Sequence, residues 1–271
     1  MDYAPVGEGS VRPRLAWPDA FAPETIVASR LATPGGGASR LAPLGGVWPN
    51  ATVSPVDTLM VFARYPVPGA VKTRLATGIG EDGAARLYEA FVRDLAARFT
   101  PARFAVRWAV APPDPGFAAR FGLAPDRCRE QCGGDLGARM RDAFEHVLAA
   151  EGSRCVLIGS DAPHLPVSRI EEAFSRLDSA DVVLGPARDG GYYLIAMRRP
   201  HDLFSGITWS VDSVHRETVA QARSLGLTVA SLPVDFDVDE VGDLARLRRR
   251  IDEGDVRCPE TARVLRELAH P

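Results

Sequence analysis

Four short segments of this sequence hold residues suited to phosphate groups and divalent cations. The first is Arg64-Tyr-Pro-Val-Pro-Gly-Ala-Val-Lys-Thr-Arg-Leu75, directly after an apolar run. Pro68-Gly69 favours a tight turn, and Gly69 permits close backbone approach. Lys72 and Arg74 bring two cations together, with Arg64 at the start of the same loop. A nucleotide diphosphate needs such neutralisation; a solvated basic loop is the alternative. The lysine is informative in itself, because the basic residues are 31 arginines and one lysine. An ammonium is a compact point charge and a guanidinium a planar fork, so the one exception points to a site where the fork will not do.

The second segment is Gly159-Ser-Asp-Ala-Pro-His-Leu-Pro166. Asp161, at the end of an apolar run, suits Mg²⁺ or Mn²⁺, which takes one or two carboxylates together with phosphate oxygens. Asp before Pro also serves as a turn residue, and His164 reads as structural. In the third, Gly185-Pro-Ala-Arg-Asp-Gly-Gly-Tyr-Tyr193, the pair Gly190-Gly191 leaves room for an acceptor against the backbone. Asp189 is placed to contact a hydroxyl-rich acceptor or orient a cation, with a plain β-turn as the alternative. The fourth is Asp235-Phe-Asp-Val-Asp-Glu240. Carboxylates at spacing two share one side of an extended segment, and clustered like charges call for a cation. Asp237 and Asp239 are therefore candidate metal ligands beside Asp161, whereas Glu240 and Asp243 suit the start of the next helix. The expected catalytic set is Asp161, Lys72 and Asp189.

The elements that must position these residues alternate. Strands are expected at 58–63, 104–110, 155–159, 181–185, 192–197 and 227–232. Helices are expected around 87–95 and at 139–149, 167–177, 213–224, 240–252 and 259–269. Strands separated by helices predict a single three-layer α/β domain with a mostly parallel sheet. In such a sheet, ligands sit beyond the carboxyl ends of the strands, where the first two segments fall. Residues 1–55 differ: they hold eight of the 22 prolines, a triple glycine at 35–37 and no sustained periodicity. They read as a flexible extension preceding a catalytic domain at 56–271.

The bulk numbers exclude several classes. With 46% hydrophobic and 25% charged residues, the chain can bury an ordinary core. A net charge of -3 gives no electrostatic case for nucleic acid or an anionic membrane. No apolar run reaches the roughly 20 residues needed to span a bilayer, and no secretory signal is evident. Cys128, Cys132, Cys155 and Cys258 lack metal-type spacing and read as reduced thiols of a cytoplasmic protein.

Taken together, the segments PVPGAVKTRL, QCGGDLGARM, GSDAPHLP, GPARDGGYYLIA, ITWS and DVDEVGDL resemble bacterial transferases of the GT-A, nucleotide-diphospho-sugar transferase fold. These are often described as associated with radical-SAM and selenodomain proteins. The resemblance covers about residues 58–250. It implies Asp161 as the counterpart of the metal-binding aspartate, with phosphates near Lys72 and Arg74. It further implies Gln131, Asp135 and Arg139 on the nucleotide side and Trp209 on the acceptor side. The implied function is metal-dependent transfer from a nucleotide-sugar to a small-molecule acceptor. Guanylyltransferases acting on phosphorylated small molecules share the fold and a similar Lys-x-Arg-Leu loop, so nucleotidyl transfer from an NTP is the alternative. A non-catalytic nucleotide-binding regulator, the third reading, would be expected to lose the carboxylates retained here.

Overall fold

Runs such as Leu59-Met-Val61 and Val156-Leu-Ile158 are apolar on both alternating sides, which only a strand covered on both faces can satisfy. The computed structural model describes residues 56–150 and 152–269; the extension expected at 1–55 lies outside the described residues. Strand β1 (Asp57–Ala63) lies between β2 (Ala105–Val110) and β4 (Arg154–Gly159), parallel to both. Beyond β2 sits β3 (Cys128–Glu130). Beyond β4 follow β6 (Tyr192–Met197), β5 (Val182–Pro186) and β7 (Val229–Ser231). Among the described residues the sheet has seven strands in the order β3-β2-β1-β4-β6-β5-β7. Only β6 runs antiparallel to its neighbours.

Each face carries its own core. Leu59 and Val61 of β1, with Val106 and Trp108 of β2, pack under α1 (Thr73–Ile79), α2 (Glu81–Phe99), α5 (Val167–Arg176), α7 (Val241–Asp252) and α8 (Pro259–Ala269). Phe117 and Phe121 of the short α3 (Phe117–Phe121) join this side. On the opposite face Met60, Leu157, Leu184 and Ile195 meet Met140 and Phe144 of α4 (Leu136–Val147) and Ala222 of α6 (Val214–Ser224). Each large apolar side chain buried in this way contributes about 1.5–3 kcal/mol.

The strands expected from the sequence are all present, with β7 shorter than its predicted 227–232. It pairs only with Val182–Leu184, and Pro233 ends the run. Three short elements, α1, α3 and β3, were not predicted, being too brief to show a period. Helix α4 starts at Leu136 rather than 139, because Asp135 caps it by accepting from the Ala138 amide at 2.8 Å. Leaving β1, the chain builds β2 and β3 on one side, then returns to β4 on the other. That reversal opens a crevice at the carboxyl ends of β1 and β4. No helix among the described residues is long and apolar enough to cross a membrane.

Candidate functional site

The loops leaving β1 and β4 open into a common cleft of about 430 Å³. The first loop turns at Val67–Ala70, where the Ala70 amide donates to the Val67 carbonyl at 3.0 Å and Gly69 takes φ +75°. The glycine serves this turn and does not line the cleft. Lys72, the residue just before α1, has φ 49° and ψ 43°. A left-handed conformation costs a non-glycine residue about 1–2 kcal/mol. Its side chain, 5% exposed, runs inward to pair with Asp161 and, at 2.7 Å, with Asp239 Oδ1. The ring of Phe91 lies 5.9 Å from the ammonium.

Asp239 arrives from the far end of the chain. Beyond β7 the backbone pairs Asp235 with Ala187, and the Asp235 amide donates to the Pro186 carbonyl at 3.1 Å. Two residues on, the Val238 amide donates to the Asp161 carbonyl at 2.9 Å. These bonds set Asp237 and Asp239 beside Asp161, the arrangement expected of the carboxylate segment. Glu240 and Asp243 form a reciprocal cap on α7, as their positions predicted. His164 is buried, hydrogen-bonded to Asp235 at 3.0 Å and stacked on Phe236, which is the structural place expected of it.

The electrostatics follow from this crowding. Burial pulls the Lys72 ammonium towards neutrality, but Asp161 and Asp239 outweigh it and raise its pKa above the ordinary lysine value. Burial also works against ionised Asp239, yet Lys72 and then Arg74 hold its carboxyl below the usual range. Asp237 has no such help. Burial, reinforced by the Asp161 charge, pushes its carboxyl up to about 8. Among the described residues it makes no hydrogen bond or ion pair.

Three arginines face the cleft from other directions. Arg74, with its side chain 63% exposed, reaches Asp239 Oδ2 at 2.8 Å and Glu240 at 3.2 Å. Arg64 and Arg139 line the same space. Gln131 joins them, its amide NH₂ held by the Ala109 carbonyl at 2.8 Å. Phe62, Leu136, Met140, Leu157 and Tyr192 supply apolar wall.

Other expected residues lie elsewhere. Asp135 is exposed and occupied with capping α4. Asp189 is exposed and accepts from the Gly191 amide at 3.0 Å, the plain turn weighed above, although its charge is felt by Asp237. Gly190 has φ +90°, and a Cβ there would stand 2.0 Å from the Asp212 carbonyl oxygen. The room expected beside it is therefore filled by the chain leading into α6. Gly191 shares that turn. Trp209 packs on Gly137, where a Cβ would meet its ring at 2.8 Å, and lies 6.3 Å from the Phe204 ring. None of these five residues lines the cleft.

Sequence reasoning missed Tyr88 and Ser160. The Tyr88 hydroxyl accepts from the Arg64 amide at 2.7 Å and is hydrogen-bonded to Ser160 Oγ at 2.7 Å. It thereby ties the loop after β1 to the loop carrying Asp161. Tyr88 sits on the apolar face of α2, so its spacing signalled only core.

A divalent cation finds a partial donor set. Among the described residues no three His, Cys, Asp or Glu side chains converge as a closed metal cage. Asp161, however, is 41% exposed on its side chain with one oxygen beyond the lysine contact, and unpaired Asp237 stands beside it. Two carboxylates with the remaining positions open is the arrangement Mg²⁺ takes when a phosphate completes its shell.

Residues 94–211 match the model of a family described as uncharacterized protein conserved in bacteria (DUF2064). No curated protein matches the chain. A crystal structure from Desulfovibrio desulfuricans G20, described as a "putative nucleotide-diphospho-sugar transferase", superposes with a TM-score of 0.74 at 36% identity, covering 79% of this chain and 95% of that one. Weaker likenesses include a 4-diphosphocytidyl-2C-methyl-D-erythritol synthase, with TM-score 0.46, 13% identity and coverage of 73% and 100%. A cytidylyltransferase from Leptospira borgpetersenii gives 0.47, 12% identity and coverage of 79% and 95%. The chain belongs to one family with the Desulfovibrio protein and has the nucleotide-diphospho-sugar transferase fold.

Proposed function

We propose that this protein is a metal-dependent transferase that takes a nucleotide-sugar donor and glycosylates a small-molecule acceptor. One observation carries the reading: a single cleft at the strand ends holds an acidic cluster, Asp161, Asp237 and Asp239, facing the arginines Arg64, Arg74 and Arg139. The arginines suit the donor's phosphates, and the acidic cluster suits the cation that accompanies them. The relative at 36% identity, described as a "putative nucleotide-diphospho-sugar transferase", supports the same reading. Asp161 and Asp237 would hold Mg²⁺ or Mn²⁺, with Asp239 beside them. The bound ion would supply charge stabilisation on the departing phosphate. Arg74 and Arg139 would orient the phosphates from the cleft wall, and the apolar wall formed by Phe62, Leu136 and Met140 would exclude water from the reacting bond.

The test is a panel of NDP-sugars and NTPs, each with Mg²⁺, Mn²⁺ or a chelator, read first by thermal shift and then by mass analysis of products. Metal-dependent stabilisation by an NDP-sugar and release of the NDP with an acceptor is the expected result. Pyrophosphate release from an NTP would replace glycosyl with nucleotidyl transfer. Stabilisation without turnover in any acceptor mixture would favour the regulator.

A further inference from the structure

Lys72 occupies a place that a phosphate-binding lysine would not. Two of the three ammonium protons are spent on Asp161 and Asp239, and Phe91 underlies the group. With 5% of the side chain exposed, little of it meets the open cleft. The left-handed backbone at Lys72 directs the stem into this slot at a cost that a surface lysine would have no reason to carry. Solvent-facing cations are available to a phosphate instead, Arg74 above all. The arithmetic of charge agrees. Once a cation draws the proton from Asp237, three carboxylates and one ammonium leave two negative charges, the complement of one divalent ion.

We propose that Lys72 is a resident counterion of the acidic cluster and not a phosphate ligand: it stays between Asp161 and Asp239 when nucleotide binds and offsets part of the charge that a divalent ion meets there. The inference deepens the function proposed above and rests on that reading for the nucleotide. It also accounts for the one lysine in a chain with 31 arginines. A guanidinium is too broad and planar for a slot shared by two carboxylate oxygens and an aromatic ring. Lys72 acts through Asp161 and Asp239, and is therefore a positioning residue.

Because the chain contains one lysine, protein labelled with ¹³C-lysine gives one Cε resonance, which reports on Lys72 alone. ADP, CDP, GDP and UDP, each added without metal, are expected to leave that resonance in place, and Mg²⁺ to shift it. A large shift on adding a metal-free nucleotide that binds would overturn the proposal, since the ammonium would then be meeting phosphate. The second arm measures Mn²⁺ binding by electron paramagnetic resonance without nucleotide. Lys72→Met removes a competing positive charge, and nearby charges shift such equilibria by about tenfold or more, so Mn²⁺ affinity is expected to rise by at least that factor. Unchanged or weaker Mn²⁺ binding by a folded Lys72→Met protein would also overturn it. Should that variant fail to fold, the wild-type resonance decides. If no nucleotide binds the wild type, the transferase reading fails, while the Mn²⁺ arm and the Mg²⁺ shift still judge Lys72.

Discussion

The backbone amide of Val238 donates to the carbonyl oxygen of Asp161 across 2.9 Å, joining two segments 77 residues apart in sequence. This bond sets the segment after β7 alongside the end of β4, so that Asp237 and Asp239 flank Asp161. Being main-chain, it fixes where the carboxylates sit without spending their oxygens. Asp161 keeps one oxygen for Lys72 and one for a cation, Asp237 keeps both, and those of Asp239 go to Lys72 and Arg74.

Asp161→Asn is expected to weaken Mg²⁺-dependent nucleotide binding by at least about tenfold, the lower end of what a charge-assisted contact contributes. The amide keeps the shape, and the half-exposed position makes the stability change small. Calorimetry with and without chelator measures the effect. A metal-dependent affinity equal to wild type would remove Asp161 from the metal site. Asp237→Asn tests the second ligand in the same way and should also leave the fold intact, since Asp237 makes no hydrogen bond or ion pair among the described residues.

Arg74→Ala should cost about 1.5–3 kcal/mol of nucleotide binding, the range for hydrogen bonds to charged groups. Its ion pairs with Asp239 and Glu240 are exposed, and exposed pairs contribute roughly 0–1 kcal/mol to stability. The affinity should therefore fall while the melting temperature barely moves. Equal affinity in a folded Arg74→Ala protein would mean that Arg74 only screens Asp239.

How much of this site the sequence disclosed depends on the range of the interactions involved. Asp161 was legible because an aspartate ending an apolar run has one place to go in a parallel sheet. Lys72 was conspicuous as the single lysine, but its partner Asp239 is 167 residues away, and no local pattern encodes such a pair. For the same reason Tyr88 passed as a core residue. Asp135 and Gly190 show the converse error. Their residue types fit a binding site, yet each meets a local backbone need, a helix cap and a tight approach to Asp212. The sheet itself was readable because doubly buried strands are continuous apolar runs, while α1, α3 and β3 are shorter than any period that could reveal them.

Gly190→Ala separates those two uses of glycine. At φ +90° any side chain is strained, and the new Cβ would lie 2.0 Å from the Asp212 carbonyl oxygen. A loss of about 2 kcal/mol or more is expected, from roughly 1–2 kcal/mol of backbone strain plus the clash. In a domain of this size that lowers the melting temperature by several degrees, at about 2–4 °C per kcal/mol. A variant with unchanged melting temperature but impaired acceptor use would return Gly190 to the acceptor side.

Asp94 carries a pH dependence whose sign can be worked out. It is buried in α2 and accepts from the Glu260 amide at 3.0 Å and the Thr261 amide at 2.8 Å, closing the start of α8. Burial outweighs these bonds and the nearby Arg98, so its carboxyl is raised above the ordinary 3.8. The folded state then holds the proton more tightly than the unfolded state does. Stability linked to this group is fully present below the unfolded value and falls as pH rises through the folded one. Asp94→Asn cannot titrate. Urea unfolding of both proteins from mildly acidic to neutral pH should show the difference, wild type minus variant, becoming less favourable to wild type as pH rises. A difference that grows in favour of wild type over that range would mean that the two amide bonds outweigh burial and that the folded carboxyl lies below 3.8 instead.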